Sequence, residues 1–237
     1  MKRIALHIII FFNVLITISC TKTVSSSGTG NGGGTTTSRT YLNVTQISNG
    51  SKTNVIVSPA DGNMFITLGN LYTSGYTNIA SGATNIKVQS QTTGKIFHDT
   101  TYTLTDNAKS TAFIYPVTSI YKVSVVQEDY SSPATGYAKI RLFDFSETAP
   151  GNTADFSISN GNNTFNFTGR KFLDHELDNT LTNFTTVNAG NYTLYAVSGS
   201  SVIINPYNFN LVSGKIYSIV VTSITSTNLL SFTMPHN

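Results

Sequence analysis

The chain has 237 residues, of which 11% are charged, with 14 Lys and Arg against 11 Asp and Glu. The formal net charge is +3, and it falls to +1 if Lys2 and Arg3 leave with an N-terminal signal. So balanced a charge offers no basic patch for a phosphate backbone, which excludes the nucleic-acid-binding class. Because typical soluble domains have about 25% charged residues, Thr, Ser and Asn must cover this surface instead.

The first nineteen residues have the layout of an export signal. Lys2 and Arg3 precede an apolar run, and the small residue Ser19 precedes Cys20. A basic start, a short apolar core and a small residue before the cleavage point are typical of secretory signals. The run falls short of the ~20 residues that span a bilayer comfortably. We therefore predict a signal peptide over residues 1–19.

The segment Thr17-Ile18-Ser19-Cys20 resembles a bacterial lipobox, in which the cysteine becomes the first residue and carries acyl chains. Thr17 departs from the pattern, which prefers Leu at that place. Cys20 is the only cysteine of the chain, so it has no disulfide partner within it. We expect lipidation of Cys20 and anchoring to a membrane through several acyl chains. An ordinary signal with a chance cysteine, or an uncleaved anchor, is the alternative.

Residues 20–40 form the predicted tether. After Cys20 the segment is rich in Gly, Ser and Thr and has almost no apolar residues, so it cannot bury enough surface to fold. No acidic residue follows Cys20 until Asp61. Surface display in some Gram-negative lineages depends on early acidic residues, so this pattern favours an outer-membrane lipoprotein on the periplasmic side.

From Tyr41 onward, apolar residues alternate with polar ones in short runs, the pattern of half-buried strands. Examples are Met64-x-Ile66-x-Leu68, Ala138-x-Ile140-x-Leu142 and Tyr217-x-Ile219-x-Val221. Regular short strands separated by turn residues are typical of β-sandwiches. We predict an all-β fold of two antiparallel sandwich domains, residues 41–130 and 136–237, with one helical turn around residues 171–179.

The two predicted domains resemble each other as an internal repeat. Segments 80–88 and 188–196 align, with their glycines Gly82 and Gly190 at a spacing of 108 residues. Near the start, Leu42 aligns with Ala138 at a spacing of 96. The second repeat therefore has about a dozen extra residues, which we place in residues 160–180.

The repeat resembles a bacterial envelope family, the domain of unknown function forty-three ninety-seven. The matching segments read GYAKIRL at 136–142, VNAGNYTL at 187–194 and LVSGKIYSIV at 211–220. The resemblance covers Tyr41 to about Thr225 and is closer in the second repeat. It implies tandem Ig-like sandwiches and an envelope location, with no known reaction.

Two clusters of ionisable residues are candidates for chemistry. Asp174, His175, Glu176 and Asp178 could ligate a metal, but a lone His without a spaced partner favours a solvated insertion loop. His98 beside Asp99 suggests a catalytic dyad, but neighbours on a strand point to opposite faces. We therefore predict no catalytic residues, no metal site and no cofactor.

Two further features concern glycans. Asp99-Thr100-Thr101 resembles the acceptor motif for envelope O-glycosylation, which makes Thr100 a candidate modification site. Several tyrosines near predicted loops or edges could stack on sugars, although the chain has no Trp. They are Tyr72, Tyr76, Tyr115, Tyr130 and Tyr207.

These features favour a non-catalytic envelope lipoprotein that serves as a binding or display module for an unknown ligand. Its expected partners are the membrane and a glycan or envelope protein. The alternatives are an envelope hydrolase or metal-dependent enzyme, which requires converging carboxylates or histidines, and a purely structural spacer. If His98, His175 and His236 are scattered and exposed, the enzyme hypothesis fails.

Overall fold

The computed structural model describes residues 37–47, 52–69, 71–118, 120–146, 153–198, 201–225 and 228–236. The predicted signal, Cys20 and the tether up to residue 36 lie outside these residues. The described residues from 37 onward belong to one compact unit of sixteen strands and two short 3-10 helices. The prediction of an all-β fold is confirmed. Within the described residues, no helix has the length and apolar character needed to cross a membrane.

The first eight strands form two four-stranded sheets, which we call the N-terminal sandwich. Their bounds are β1 Arg39–Gln46, β2 Thr53–Ser58, β3 Met64–Leu68, β4 Thr77–Ala80, β5 Gly82–Ser90, β6 Ile96–Leu104, β7 Lys109–Val117 and β8 Ile120–Glu128. The inner N-terminal sheet has the order β4-β1-β7-β8, and the outer N-terminal sheet has the order β3-β2-β5-β6.

The remaining eight strands repeat this arrangement as the C-terminal sandwich. Their bounds are β9 Tyr137–Phe145, β10 Ala154–Ser159, β11 Thr164–Arg170, β12 Thr185–Asn188, β13 Gly190–Ser198, β14 Ser201–Leu211, β15 Ile216–Thr225 and β16 Asn228–His236. The inner C-terminal sheet has the order β12-β9-β15-β16, and the outer C-terminal sheet has the order β11-β10-β13-β14. Strand order in the two sandwiches therefore corresponds element by element.

The register refines the predicted alignment of the repeats. Leu42 pairs with Ser110, and Ile140 pairs with Tyr217, so residues 42 and 140 are equivalent at a spacing of 98 rather than 96. Gly82 and Gly190 begin the equivalent strands β5 and β13 with φ of 98° and 146°, values that a residue without Cβ adopts easily.

Both sandwiches depart from the predicted antiparallel pairing at one place each. β1 runs parallel to β7, and β9 runs parallel to β15. Alternation of apolar and polar residues reports which face of a strand is buried, not the direction of its neighbour. The inner sheets are therefore mixed, and the prediction of purely antiparallel sheets is wrong there.

The four sheets stack as four layers around three apolar cores. One core lies between the two sheets of the N-terminal sandwich, and a second lies between those of the C-terminal sandwich. A third core joins the two inner sheets, and we call this region the joint. Its buried members are Ile47, Phe113, Tyr115, Val126, Phe143, Phe145, Val220 and Met234.

The start of the first strand and the position of the extra residues in the second repeat differ from the sequence prediction. The predicted tether reaches residue 40, but β1 begins at Arg39, and Thr40 is fully buried with its hydroxyl donating to the Ala108 carbonyl at 2.9 Å. The extra residues of the second repeat lie between β11 and β12, where the 3-10 helices span Asp174–Glu176 and Asn179–Thr182.

Candidate functional site

Strand β9 is buried on both faces, which places an arginine inside the protein. Ala138, Ile140 and Leu142 point into the C-terminal core. The alternate residues point the other way, because side chains on a strand alternate between faces. Arg141 and Phe143 therefore enter the joint, where they are 1% and 0% exposed.

Aromatic rings fill the centre of the joint. Phe113 from β7 lies 5.0 Å from Phe143 and 5.4 Å from Phe145, measured between ring centroids. Tyr115, also from β7, lies 5.2 Å from Phe145. Tilted contacts at these distances are the favoured geometry for aromatic pairs. The rings bind the two inner sheets together through apolar contact.

A polar network runs beside these rings and crosses the joint twice. Arg141 forms an ion pair with Glu128 at the end of β8, and both side chains are almost fully buried. Arg141 also donates from Nε to the Ser218 hydroxyl at 2.8 Å and from a terminal nitrogen to the Thr182 carbonyl at 3.2 Å. The guanidinium thus satisfies several donors at once, as a buried charge requires.

The network continues through His236 back to the N-terminal sandwich. Ser218 lies 2.8 Å from Nε2 of His236, and Nδ1 of His236 lies 3.1 Å from the Tyr76 hydroxyl. Tyr76 in turn lies 3.1 Å from the Thr111 hydroxyl on β7. We call this set the polar joint network: Tyr76, Thr111, Glu128, Arg141, Ser218 and His236.

Burial sets the protonation behaviour of the network. It lowers the pKa of His236 to about 3, and the nearby cations Arg141 and Lys109 act in the same direction. It also raises the pKa of the Glu128 carboxyl, while Arg141 opposes that rise. Thr111 stands beside this carboxyl, yet Glu128 Oε1 has no hydrogen bond of standard geometry among the described residues. His236 is therefore neutral at pH 7.

The loop at Asp174 to Asp178, predicted to be solvated, is exposed at residues 176–178, but its His175 side chain enters the joint. His175 is 2% exposed, its ring lies 4.9 Å from Phe143 and 5.2 Å from Phe145, and its Nε2 lies 3.3 Å from the Ser124 hydroxyl. Burial lowers the pKa of His175 to about 4. The prediction of a solvated loop is wrong at His175, because contacts from β8 and β9 enclose that side chain.

The neighbours of His175 hold the loop in place. Arg170 donates two hydrogen bonds to Asp174, at 2.6 and 2.8 Å. Glu176 accepts a hydrogen bond from the Tyr115 hydroxyl at 2.8 Å. Asp178 accepts from the Thr180 amide at 2.9 Å and so caps the second 3-10 helix. Each carboxylate of the cluster thus bonds to protein groups.

Replacing Tyr115 with phenylalanine should lower the free energy of unfolding by about 1–2 kcal/mol, since it deletes a hydrogen bond to a carboxylate and keeps the ring. Urea denaturation followed by circular dichroism measures this change. Tyr137→Phe is the control, because Tyr137 is 44% exposed and should change stability by less than about 0.5 kcal/mol. Equal effects of both variants would argue against this role for Tyr115.

The remaining candidate residues His98, Asp99 and Thr100 are consecutive on β6 but do not converge on one site. On β6, His98 Nε2 lies 3.0 Å from the Tyr102 hydroxyl, whereas Asp99 accepts from Asn85 at 2.9 Å and pairs with Lys87. The pair therefore points to opposite faces, as expected. Thr100 is exposed on the same strand, and its modification stays a prediction.

The three histidines named for the enzyme hypothesis are separated in their contacts, but they are not solvent-exposed. His98 is half-buried, and His175 and His236 are buried. Over the described ranges, no group of three or more His, Cys, Asp or Glu is arranged to hold a metal ion.

The tyrosines considered for sugar stacking do not form one surface. Tyr115 is 1% exposed inside the joint, and Tyr207 packs against the C-terminal core. Tyr76 and Tyr130 pack edge to face at 5.5 Å and both flank Lys109, whose Nζ lies 4.2 Å above the Tyr130 ring. Tyr72 is exposed, at 47%.

A different aromatic residue lines an open groove on the solvent face of the outer C-terminal sheet. The groove has a volume of about 540 Å³, and Tyr195 in its wall is 42% exposed. Residues from the end of β10, the turn after it, β13 and β14 complete it. They include Ser159, Asn160, Asn191, Thr193, Asn208 and Asn210. The sequence prediction missed Tyr195, although its alternation with Leu194 and Ala196 assigns it to the outer face.

Three solved structures that the chain resembles align with it at low TM-scores. The TIE protein of Bacillus anthracis aligns at 12% identity and TM-score 0.26, over 78% of this chain and 34% of that one. A leucine-rich repeat protein of Bacteroides thetaiotaomicron aligns at 12% identity and TM-score 0.22, over 81% of this chain and 26% of that one. The chain therefore spans about a third or less of these two proteins.

A family CBM26 module from Eubacterium rectale, solved with maltoheptaose, aligns at 12% identity and TM-score 0.27, over 83% of this chain and 97% of that one. Likeness at these scores supports no functional inference. No curated protein matches the chain by sequence.

The family comparison falls on the first part of the folded chain. The match covers the N-terminal sandwich and β9, whereas the sequence predicted the closer resemblance in the second repeat. Residues 40–151 match the model of the family described as Domain of unknown function (DUF4397), which supports the predicted family over that range.

Proposed function

We propose that this chain is an exported bacterial lipoprotein of the cell envelope. Its two sandwiches act as one rigid, non-catalytic module for binding or displaying a ligand. Acyl chains on Cys20 hold it on the outer membrane, and the segment up to residue 38 separates the folded part from the lipid surface. The periplasmic side is the proposed location.

The observation that carries this proposal is that the buried ionisable residues make structural contacts within the joint. Arg141, Glu128 and His236 bond to one another or to shared partners across the joint. His175 packs against two phenylalanine rings of the same region. These groups serve to fasten one sandwich to the other, which leaves the solvent faces of the outer sheets for recognition. The match to an uncharacterised domain family is compatible with this role.

Mass spectrometry of the mature protein tests the anchor. We expect an N-terminus at Cys20 carrying a diacylglyceryl group and a further acyl chain, and recovery of the protein in the membrane fraction. The variant Cys20→Ser should lose the lipid mass and leave the membrane fraction, because one acyl chain or none binds a bilayer only marginally.

Ser19→Ala is the matched control, since alanine is also small and should keep processing intact. An unmodified Cys20, or a cleavage elsewhere, contradicts the lipoprotein proposal. A pulldown from envelope extract that recovers neither a glycan nor a protein contradicts the binding role.

A further inference from the structure

We propose that the groove on the outer C-terminal sheet binds an uncharged glycan, with the ring of Tyr195 stacking on a sugar face and asparagine side chains bonding its hydroxyls. This inference rests on the proposed binding role and names its ligand class. The groove side chains that carry it are Ser159, Asn191, Thr193, Tyr195, Asn208 and Asn210.

The position of these side chains follows from strand alternation. Tyr192, Leu194 and Phe209 of the same strands face the C-terminal core, so Tyr195 and Asn208 face solvent. Asn191 and Asn210 are cross-strand partners, and so are Thr193 and Asn208. The sheet therefore presents paired polar side chains in rows beside one exposed ring.

The chemistry of the groove suits hydroxyl groups and disfavours charged ligands. Residues 179–214 contain no Lys, Arg, His, Asp or Glu, so neither β13 nor β14 supplies a cation for phosphate, sulfate or a uronic acid. The exposed Asp155 of β10, whose partner on β13 is Val197, adds a carboxylate to this face that would repel an anionic ligand. Each Asn offers two donors and one acceptor, which matches a sugar hydroxyl that both donates and accepts. The Tyr195 ring adds an apolar face of the kind on which a pyranose ring stacks.

Several of these groups are available to a ligand. Asn191, Asn208 and Asn210 are exposed. Thr193 donates to Asn208 Oδ1 at 2.7 Å, which leaves the two amide donors of Asn208 pointing elsewhere. No side-chain hydrogen bond of Asn191, Asn210 or Tyr195 occurs among the described residues, so binding there would break none.

The equivalent face of the N-terminal sandwich has different chemistry. Lys87 is the sixth residue of β5, as Tyr195 is of β13. Lys87 pairs with Asp99 at 3.3 Å, and Asp99 also accepts from Asn85 at 2.9 Å. An ion pair thus occupies the place of the exposed ring. The two repeats have therefore diverged at this position: the N-terminal sandwich has a charged residue there, and the C-terminal sandwich has an uncharged aromatic one.

Binding to a glycan panel tests the proposal with the folded, full mature chain. The panel contains uncharged oligosaccharides of glucose, galactose, mannose and N-acetylglucosamine, each free and linked to a carrier peptide. Heparin and polygalacturonate serve as anionic counterparts. We expect retention on at least one uncharged glycan in both forms, insensitive to salt, because no ion pair contributes.

Tyr195→Ala and Asn208→Ala should each weaken that binding about tenfold or more, the effect of losing a central contact. The matched control is Phe65→Ala, which removes a ring that is 73% exposed on the outer N-terminal sheet and should leave binding unchanged. Thermal unfolding of each variant must match the wild type, and Tyr195→Phe, which keeps the ring, must retain binding.

Four results would overturn the proposal: a blank panel at millimolar glycan, binding only to the anionic polymers, binding that requires the peptide, or equal loss in Phe65→Ala. A blank panel together with an acylated Cys20 and a protein partner from envelope extract removes the glycan and leaves the broader binding role standing.

Discussion

Replacing Arg141 with methionine should lower the free energy of unfolding by about 3–5 kcal/mol, the range for removing one partner of a buried ion pair. The change leaves the Glu128 carboxylate inside the joint without its cation. It also removes the donor to Ser218, and it removes the planar group that lies 4.6 Å from the Phe143 ring and 4.3 Å from the Phe184 ring. Urea unfolding measures the loss.

The chain offers a matched control at its surface. Arg39 pairs with Asp61, and these side chains are 45% and 33% exposed. Arg39→Met should therefore cost no more than about 1 kcal/mol, because water screens an exposed pair. The double variant Arg141→Met with Glu128→Leu should recover most of the loss, since an apolar pair can replace a buried ion pair. A loss at Arg141 no larger than at Arg39 would contradict a structural role for the buried pair.

Mild acid should destabilise the protein between about pH 6.5 and pH 4. His236 and His175 have folded pKa values near 3 and 4, below the ordinary value of 6.5. Below pH 6.5 the unfolded chain binds protons that the folded protein does not, so stability falls as the pH falls. Each histidine contributes a slope of up to about 1.4 kcal/mol per pH unit in this window.

Several groups face these histidines and modify that slope. Arg141 and Lys109 act on His236, while Asp174, Arg170 and Arg141 act on His175. Burial raises the folded pKa values of Glu128 and Asp144, and proton uptake by either one on the folded side would oppose the slope.

The variant His236→Gln tests the assignment, because the amide can replace both ring hydrogen bonds without titrating. Its unfolding free energy should depend less steeply on pH than that of the wild type. The slope should fall by up to about 1.4 kcal/mol per pH unit, which corresponds to one bound proton. Thr233→Gln is a control on the same strand without a titrating group. A pH slope identical to the wild type in His236→Gln would show that His236 binds protons equally in the folded and unfolded states and would contradict the assignment.

The sequence predicted the fold class because alternation marks one buried face per strand. Ala138, Ile140 and Leu142 identify the core side of β9 correctly. The joint was not predicted, because it requires a second buried face on the same strands. The signal was present in Arg141, Phe143 and Phe145, which together make β9 almost continuously buried. Such continuous burial is typical of a strand covered on both sides.

The roles of individual site residues depended on distant contacts. His175 contacts Ser124, 51 residues away in sequence, and Tyr115 reaches Glu176 over 61 residues. No local pattern reports contacts at that separation, so the loop looked like a solvated turn. Tyr195 differs, because its face could be deduced from its neighbours. What the sequence did not indicate is that β13 and β14 place only uncharged polar groups on this face, beside the exposed Asp155 of β10.

We infer that the joint makes the two sandwiches one cooperative unit. Hydrogen exchange measured by mass spectrometry tests it most directly, by comparing peptides from β7 of the N-terminal sandwich with peptides from β15 of the C-terminal one. We predict equal opening free energies in the two strands, and an equal decrease in both when Arg141 is replaced with methionine. Exchange in which the C-terminal sandwich opens while the N-terminal sandwich keeps its full protection would contradict the account.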